Sequence, residues 1–161
     1  MDADSNLAYR RALGTFATGV CVVTAEREGR ALGLTVNSFT SVSLDPALVL
    51  WCLDEDSDRF HVFAEADAWA VNILTADDRD HSERFAWGAA ELTPDERETG
   101  ACGAPLLKGA LTRLDCSTHD RIRLGDHLVV VGRVERFETG EGDALVFFRG
   151  GYGRTGAGEG L

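Results

Sequence analysis

The sequence has few basic residues for its length. Its 161 residues include 16 Lys and Arg against 27 Asp and Glu, which gives a net charge of −11 at pH 7. A nucleic-acid backbone or an anionic membrane repels such a chain, so binding to either is excluded as its main activity. Any phosphorylated ligand must therefore be bound by local donors.

Long apolar runs and a basic leader are also missing. The longest apolar run extends from Ala47 to Leu53, whereas a membrane-spanning helix needs about 20 residues. Residues Met1 to Asp4 are acidic where a secretion signal is basic. We therefore expect no export and a cytoplasmic protein.

The sequence has no closely spaced cysteines. Its four cysteines are Cys21, Cys52, Cys102 and Cys116, and no two of them have the Cys-x-x-Cys spacing, with two residues between them. Three of the four lie in apolar or alternating stretches. Zinc sites commonly use paired ligands, and disulfide frameworks suit smaller exported chains. We expect reduced structural thiols and no metal.

Common nucleotide-binding and hydrolase motifs are absent. Gly14 and Gly19 have the spacing of a P-loop, but Val20 and Cys21 stand where that loop needs Lys and Ser or Thr. No G-x-G-x-x-G follows a strand, and neither G-x-S-x-G nor H-E-x-x-H occurs. A P-loop, a Rossmann site and hydrolase chemistry are not supported.

The composition, with 44% hydrophobic and 27% charged residues, is typical of one globular domain. Helical spacing of apolar residues predicts three helices, at 6–18, 57–66 and 80–90. Alternating or β-rich runs predict strands at 20–24, 31–39, 47–53, 69–75, 111–124, 127–137 and 144–149. The uninterrupted 47–53 run predicts a central strand covered on both faces, and 94–105 reads as irregular. Turns join most strands, so we predict a small antiparallel barrel with helices outside.

One segment, Gly33 to Ser43, places hydroxyl and amide side chains among apolar neighbours at a strand end. Such neutral groups, together with backbone N–H groups, can bind a polar ring edge or a phosphate without a basic patch. The same residues are also common on an ordinary half-buried β-surface. The pattern alone leaves both interpretations open.

Several segments together, in their order and spacing, resemble the flavin reductase-like family, the reductase components of two-component flavin-dependent monooxygenases. The matching segments are Phe16–Val20, Val22–Thr24, Gly33–Phe39, Ser41–Pro46, Ala70–Leu74, Gly125–His127 and Phe148–Tyr152. Ala47 departs from the family, which often has a second proline there. The resemblance implies a mainly β fold with peripheral helices, an FMN-binding split β-barrel of Greek-key type that forms homodimers. It also implies a domain at 1–153 and a flexible Gly-rich tail at 154–161.

The resemblance further implies which residues bind the flavin. Those expected along its isoalloxazine ring and ribityl chain are Thr35, Val36, Asn37, Ser38 and Ser41. Those expected along its tail are Cys52, Leu53, Asp54 and Ser57. Ser57 is the expected phosphate contact, and a second interpretation of it as a helix N-cap is compatible with that role, because helix N-termini bind anions. Arg84 and Phe85 are expected at the far end of the flavin, although a solvated arginine beside a core phenylalanine explains them equally well.

His127 and Tyr152 are expected at the nicotinamide. The resemblance places His127, after Gly125 and Asp126, where the nicotinamide stacks on the flavin, whereas a turn histidine alone is usually idle at the surface. Tyr152 either covers the nicotinamide or anchors the end of the chain. Without an Arg/Lys cluster adjoining this site to pair a 2′-phosphate, we expect NADH to be preferred over NADPH.

The implied activity is hydride transfer from NADH to FAD or FMN, with reduced flavin passed to a partner monooxygenase. Such chemistry needs stacking geometry more than an acid or a base, which suits a chain without a catalytic triad. Two alternatives remain: a non-catalytic flavin- or haem-binding split-barrel protein, and a plain interaction module. The segment Gly125–His127 favours the reductase, because a flavin carrier has no use for it.

Overall fold

The computed structural model describes residues 2–156, in which strands dominate. Three α-helices, α1 to α3, span Ala3–Leu13, Phe60–Glu65 and Arg79–Trp87, and a 3₁₀ helix spans Pro94–Glu96. The strands, β1 to β12, span Thr18–Gly19, Cys21–Arg27, Arg30–Val36, Thr40–Leu44, Ala47–Asp54, Ala68–Ile73, Arg97–Thr99, Pro105–Leu107, Thr112–Leu124, His127–Thr139, Leu145–Phe148 and Gly151–Arg154. None of the helices in this part of the chain has the length and hydropathy of a membrane span.

One large antiparallel sheet organises the fold. Its seven strands follow the order β3-β2-β6-β9-β10-β5-β4, and two small sheets, β1-β11-β12 and β7-β8, lie beside it. The predicted two-stranded ribbon is confirmed, because β9 and β10 pair along their whole length. The first pair is Leu124 with His127 and the last is Thr112 with Thr139. The mainly β class with few helices is likewise confirmed, whereas the split-barrel closure stays a prediction.

The core between the large sheet and α2 is aromatic. The fully buried rings of Trp51, Phe63 and Trp69 meet edge to face, with centroids 5.7 and 6.0 Å from that of Trp51. Gly132 on β10 makes room for this cluster, because a Cβ there would lie 2.7 Å from Cη2 of Trp69. A second cluster, around Phe85, Leu74 and Leu107, packs α3 against β2 and β3.

The structure corrects the expectation that β5 is covered on both faces. Only Val49, Trp51 and Leu53 are buried, and the alternate residues between them are half-exposed. The strand is second from the edge of the sheet, between β10 and β4, so one face reaches the core and the other borders a cleft.

Two further segments differ from expectation. The region expected to be irregular, 94–105, contains the 3₁₀ helix and β7, which pairs with β8. Near the other end, β12 was not predicted; it pairs with β11 around a turn at Arg149 and Gly150 and runs to Arg154, whose partner is Leu145. The domain boundary at 153 stays a prediction, and residues 157–161 of the proposed tail lie outside the described residues.

Candidate functional site

A cleft of about 540 Å³ lies where β3 and β5 end and β10 begins, beside the segment that leads into α2. The register between β10 and β5 sets His127 opposite Asp54, at its mouth. The backbone N–H of Glu55 donates to the carbonyl of Asp126 (3.1 Å), which joins the two strand ends. The predicted residues that line this cleft are Thr35, Val36, Asn37, Ser38, Cys52, Asp54, Ser57 and His127.

Two of the predicted hydroxyls hold the cleft wall together. Ser38 Oγ accepts from the backbone N–H of Cys52 (3.0 Å) and donates to the carbonyl of the same residue (3.2 Å). Thr35 Oγ1 donates to the carbonyl of Ser82 on α3 (2.8 Å). Asn37, which lies between them, is exposed, so its carboxamide is open to a ligand.

Cys52 contributes a neutral thiol to the cleft. Burial raises the pKa of this thiol, and the smaller effect of the neighbouring Ser38 hydroxyl, which lowers the pKa, does not cancel it. The group therefore stays protonated near neutral pH and is not an activated nucleophile. Its contribution to the cleft is a small polarisable surface.

His127 is held by its neighbour in the turn. Its Nδ1 lies 2.7 Å from Oδ1 of Asp126, and this hydrogen bond lowers the pKa of the Asp126 carboxyl. An ionised carboxylate can only accept, so Nδ1 carries a proton, and in the neutral imidazole Nε2 is left as an acceptor. Gly125 makes the turn possible, since its φ of 64° lies in the left-handed region.

Ser57 does not cap helix α2. The helix begins at Phe60 and Arg59 occupies its N-cap position, so the N-cap interpretation of Ser57 is wrong. Instead Ser57 closes a turn with Asp54, and its Oγ accepts from the backbone N–H of Arg59 (3.3 Å). The hydroxyl faces the cleft, and its contact with a phosphate stays a prediction.

The charge around Ser57 opposes a phosphate. Three carboxylates, those of Asp54, Asp56 and Asp58, line this end of the cleft. The single guanidinium of the nearby Arg59 cannot balance three carboxylates. Its two terminal nitrogens already donate to backbone carbonyls, so they are not free to bind a phosphate. This end of the cleft therefore suits a neutral group better than an anion.

Four predicted flavin contacts lie outside the cleft. Leu53 is fully buried in the core, because it alternates with Cys52 along β5 and points to the other face. Phe85 is also buried, against Gly33. Arg84 pairs with Glu96, and Ser41 lies exposed on β4.

Tyr152 lines a second cavity of about 230 Å³ that adjoins the cleft along Thr35, Val36 and Asn37. Its hydroxyl lies 2.8 Å from Ser82 Oγ, and its ring meets that of Phe147 at 5.4 Å. The ring is therefore fixed beside the cleft, and a role at the nicotinamide stays a prediction.

Six of the fourteen residues that line the cleft were not predicted as site residues, and two of these, Arg59 and Trp87, bear on how it is built. Arg59 is buried and donates to the carbonyls of Gly33, Phe85 and Gly88, which joins β3 to α3. Trp87, the last residue of α3, is 89% exposed and lines both the cleft and the cavity of Tyr152. Their signals were a charged residue directly before an apolar helix and a tryptophan at the end of a mostly polar helix.

Comparison with known proteins gives one consistent result. The family described as "Flavin reductase like domain" matches residues 13–156. The FMN reductase (NADH) SmoA of Agrobacterium fabrum is 40% identical over 151 residues, which cover 94% of this chain and 87% of the relative. The reductase component of the flavin-dependent trigonelline monooxygenase of Acinetobacter baylyi is 39% identical over 160 residues. That alignment covers 94% of this chain but 50% of the relative, so the chain spans about half of its length.

Solved structures agree with these relatives. Flavin reductase PheA2 has a TM-score of 0.87 at 35% identity, over 97% of this chain and 99% of the other. The NADH:FAD oxidoreductase SgcE6 of Streptomyces globisporus, in complex with NAD and FAD fragments, has a TM-score of 0.89 at 31% identity. That match covers 99% of this chain and 98% of SgcE6.

Proposed function

The chain belongs to the flavin reductase-like domain family, and we propose that it is an NADH-dependent flavin reductase that reduces FAD or FMN for a partner monooxygenase. The observation that carries the proposal is the convergence of Asn37, Cys52 and His127 in one cleft. These residues come from three separate segments, and the family resemblance assigns each of them to the flavin or to the nicotinamide.

The cleft fits a flavin ring in size and chemistry. Ligand cavities typically enclose about 300–1,000 Å³, and this one encloses about 540 Å³. Its wall combines apolar groups of Leu34, Val36 and Ala86 with the exposed carboxamide of Asn37. An isoalloxazine ring is flat, uncharged and edged with hydrogen-bonding atoms, so such a wall can bind it without a basic patch.

The residues of the chain supply orientation and exclusion of water. When bound, the flavin supplies the ring that accepts a hydride from NADH. His127, held by Asp126, presents Nε2 as an acceptor for the carboxamide of a nicotinamide. Trp87 and Tyr152 supply aromatic surface in the cavity that adjoins the cleft. Since hydride transfer needs no proton at the moment of transfer, no residue here is required as an acid or base.

We further propose that the chain forms a split-barrel domain at 1–153 that assembles into a homodimer, and its exposed apolar surface supports the assembly. Large apolar side chains are exposed, among them Phe16 at 77% and Leu44 at 95%. Apolar area of this kind commonly marks an interface with another copy or a partner. Light scattering that gives a monomer with tight flavin binding would contradict the homodimer.

The decisive experiment compares NADH oxidation with FAD, FMN and riboflavin, side by side. A colourless preparation that oxidises NADH only when flavin is added supports a reductase with diffusible flavin. A yellow preparation that is inert to NADH indicates the alternative, a non-catalytic flavin-binding protein. No NADH oxidation with any of the three flavins would overturn the proposed activity.

A further inference from the structure

Most arginines of this acidic protein are paired. Within the described residues, eleven of the fifteen have a carboxylate oxygen within 4.0 Å. The other four are Arg10, Arg11, Arg133 and Arg149. Three of these, all except Arg133, line a single cavity of about 530 Å³ together with Gly14, Thr15 and Gly150.

Helix stability alone does not explain why three arginines surround this cavity, which we call the arginine pocket. Arg10 and Arg11 lie in the last turn of α1, where positive charge is favourable. Arg149 lies on no helix; it occupies the turn between β11 and β12. Placing a third positive charge beside two others costs electrostatic energy unless an anion offsets it.

The backbone at Arg149 strengthens this point. Its φ is 50° and that of Gly150 is 80°, so both residues of the two-residue turn are left-handed. Asn, Asp and Gly are the residues that such turns favour, because Gly has no Cβ to clash with the backbone and the short polar side chains of Asn and Asp hydrogen-bond locally, whereas Arg has neither advantage. The backbone N–H of Arg149 donates to the carbonyl of Gly14 (2.8 Å), which fixes the turn against the end of α1.

The arginine pocket is connected to the flavin cleft. A groove of about 850 Å³ shares Arg10 and Gly14 with the pocket, and Asn37 and Ser38 with the cleft. Arg10 also lies close enough to Asp126, the partner of His127, that its positive charge helps to lower the pKa of Asp126. A ligand seated at His127 can therefore extend toward the arginines.

We propose that Arg10, Arg11 and Arg149 bind the diphosphate of NADH, an assignment that rests on the proposed reductase function. These guanidinium groups have no carboxylate partner among the described residues, and a diphosphate supplies the negative charge that would pair with them. Each guanidinium can donate two parallel hydrogen bonds to it. The other end of the cleft, with three carboxylates around Ser57, repels the same group. The concave shape of the pocket suits a small anion better than a protein surface.

The arginine pocket places an arginine cluster near the proposed nicotinamide site, where the sequence alone indicated none. Arg10 and Arg149 lie far apart along the chain, so the sequence does not show them as a cluster. The fold brings them together. Since NADH and NADPH share the diphosphate, the cluster supplies affinity for both and does not by itself reverse the preference for NADH.

The test uses Arg149→Asn, which removes the charge but suits the left-handed turn, and Arg133→Gln as the matched control for net charge. With riboflavin as the acceptor, which has no phosphate, Arg149→Asn should raise the apparent KM for NADH roughly 10- to 100-fold, the range expected for one lost hydrogen bond to a charged group. Arg133→Gln should leave it unchanged. The double variant Arg10→Gln/Arg11→Gln should have the same effect as Arg149→Asn.

Thermal-shift titrations with inorganic diphosphate and with NADH need no turnover. Both ligands should raise the Tm of the wild type and of Arg133→Gln, and much less that of Arg149→Asn. If the wild type oxidises no NADH but shows this pattern, the proposed activity fails while the anion site stands. No shift with either ligand, or equal shifts in both variants, would overturn the site itself.

The kinetic measurements distinguish the diphosphate of NADH from the phosphate of the flavin and from the 2′-phosphate of NADPH. If Arg149→Asn weakens FAD and FMN but not riboflavin, and leaves the KM for NADH unchanged, the pocket binds the flavin phosphate and the NADH assignment is wrong. A loss confined to NADPH would assign the pocket to the 2′-phosphate and would equally refute the diphosphate assignment.

Discussion

Replacement of Arg59 by methionine should destabilise the protein and weaken flavin binding together. The side chain is 7% exposed, and its guanidinium donates to three carbonyls, those of Gly33, Phe85 and Gly88, at up to 3.2 Å. Methionine fills most of the space of the arginine stem but donates no hydrogen bond. The substitution therefore removes the link between β3 and α3 with little loss of packing.

The expected cost follows from these contacts. A hydrogen bond to a charged group contributes about 1.5–3 kcal/mol, so three of them set an upper bound near 4.5–9 kcal/mol. Removal of the guanidinium also ends the cost of burying its charge, for which the exposed carboxylate of Asp58, 3.5 Å from Nε, compensates only weakly. We therefore expect the free energy of unfolding to fall by about 3–5 kcal/mol.

Urea unfolding, followed by tryptophan fluorescence, measures this loss, and flavin titration of the folded variant measures the cleft. Arg30→Met is the matched control, since Arg30 forms an exposed pair with Glu91 and should cost less than about 1 kcal/mol. Arg59→Lys should lie between the two, because an ammonium group cannot span all three carbonyls. A loss below about 1 kcal/mol for Arg59→Met, with unchanged flavin affinity, would refute the reasoning.

Three further predictions address the site, the response to acid and the core. His127→Ala should lower kcat/KM for NADH by roughly one to two orders of magnitude, about 1.4–2.7 kcal/mol, and leave the flavin Kd unchanged; normal kinetics, or a selective loss of flavin binding, would contradict its role at the nicotinamide. The Arg84 guanidinium lowers the pKa of Glu96 from 4.5 to about 2, so the ionised pair stabilises the fold above pH 4.5 and this contribution disappears as the pH falls toward 2. Glu96→Gln should therefore reduce stability at neutral pH, and the difference from wild type in acid titrations of unfolding should shrink below pH 4.5; a constant difference would disprove the linkage. Gly132→Ala should cost about 1–3 kcal/mol in urea unfolding, because its Cβ would overlap the Trp69 ring; wild-type stability would show that the ring can move aside.

Part of this architecture could be predicted from the sequence because it depends on local patterns. Alternation around Gly125 and Asp126 predicted the long ribbon, and the family motifs predicted the cleft wall at Asn37 and the position of His127. The family, its NADH dependence and its flavin chemistry are confirmed by the relatives. A stricter use of the same alternation would have placed Leu53, the neighbour of Cys52, in the core.

The remaining features depend on contacts between distant segments. Arg59 is a buried charge because three carbonyls from β3 and from the end of α3 happen to surround it, and no local pattern encodes that meeting. The arginine pocket likewise joins the two ends of the chain. Trp87 is the last residue of α3, a mostly polar helix, so only the fold reveals that it borders the cleft.

The two hydrogen bonds between Ser38 and Cys52 have a consequence for how the cleft can change. Pairing of β4 with β5 stops at Thr40 and Leu50. Two residues further along each segment, Ser38 bonds to Cys52. There the hydroxyl takes over both roles that a neighbouring strand's N–H and carbonyl would have. The main chain at Asn37 is thereby released from the ladder without exposing the edge of β5. The backbone path and the sequence of the loop at Asn37 can therefore change without loss of strand pairing in the sheet, as long as a hydroxyl remains at position 38.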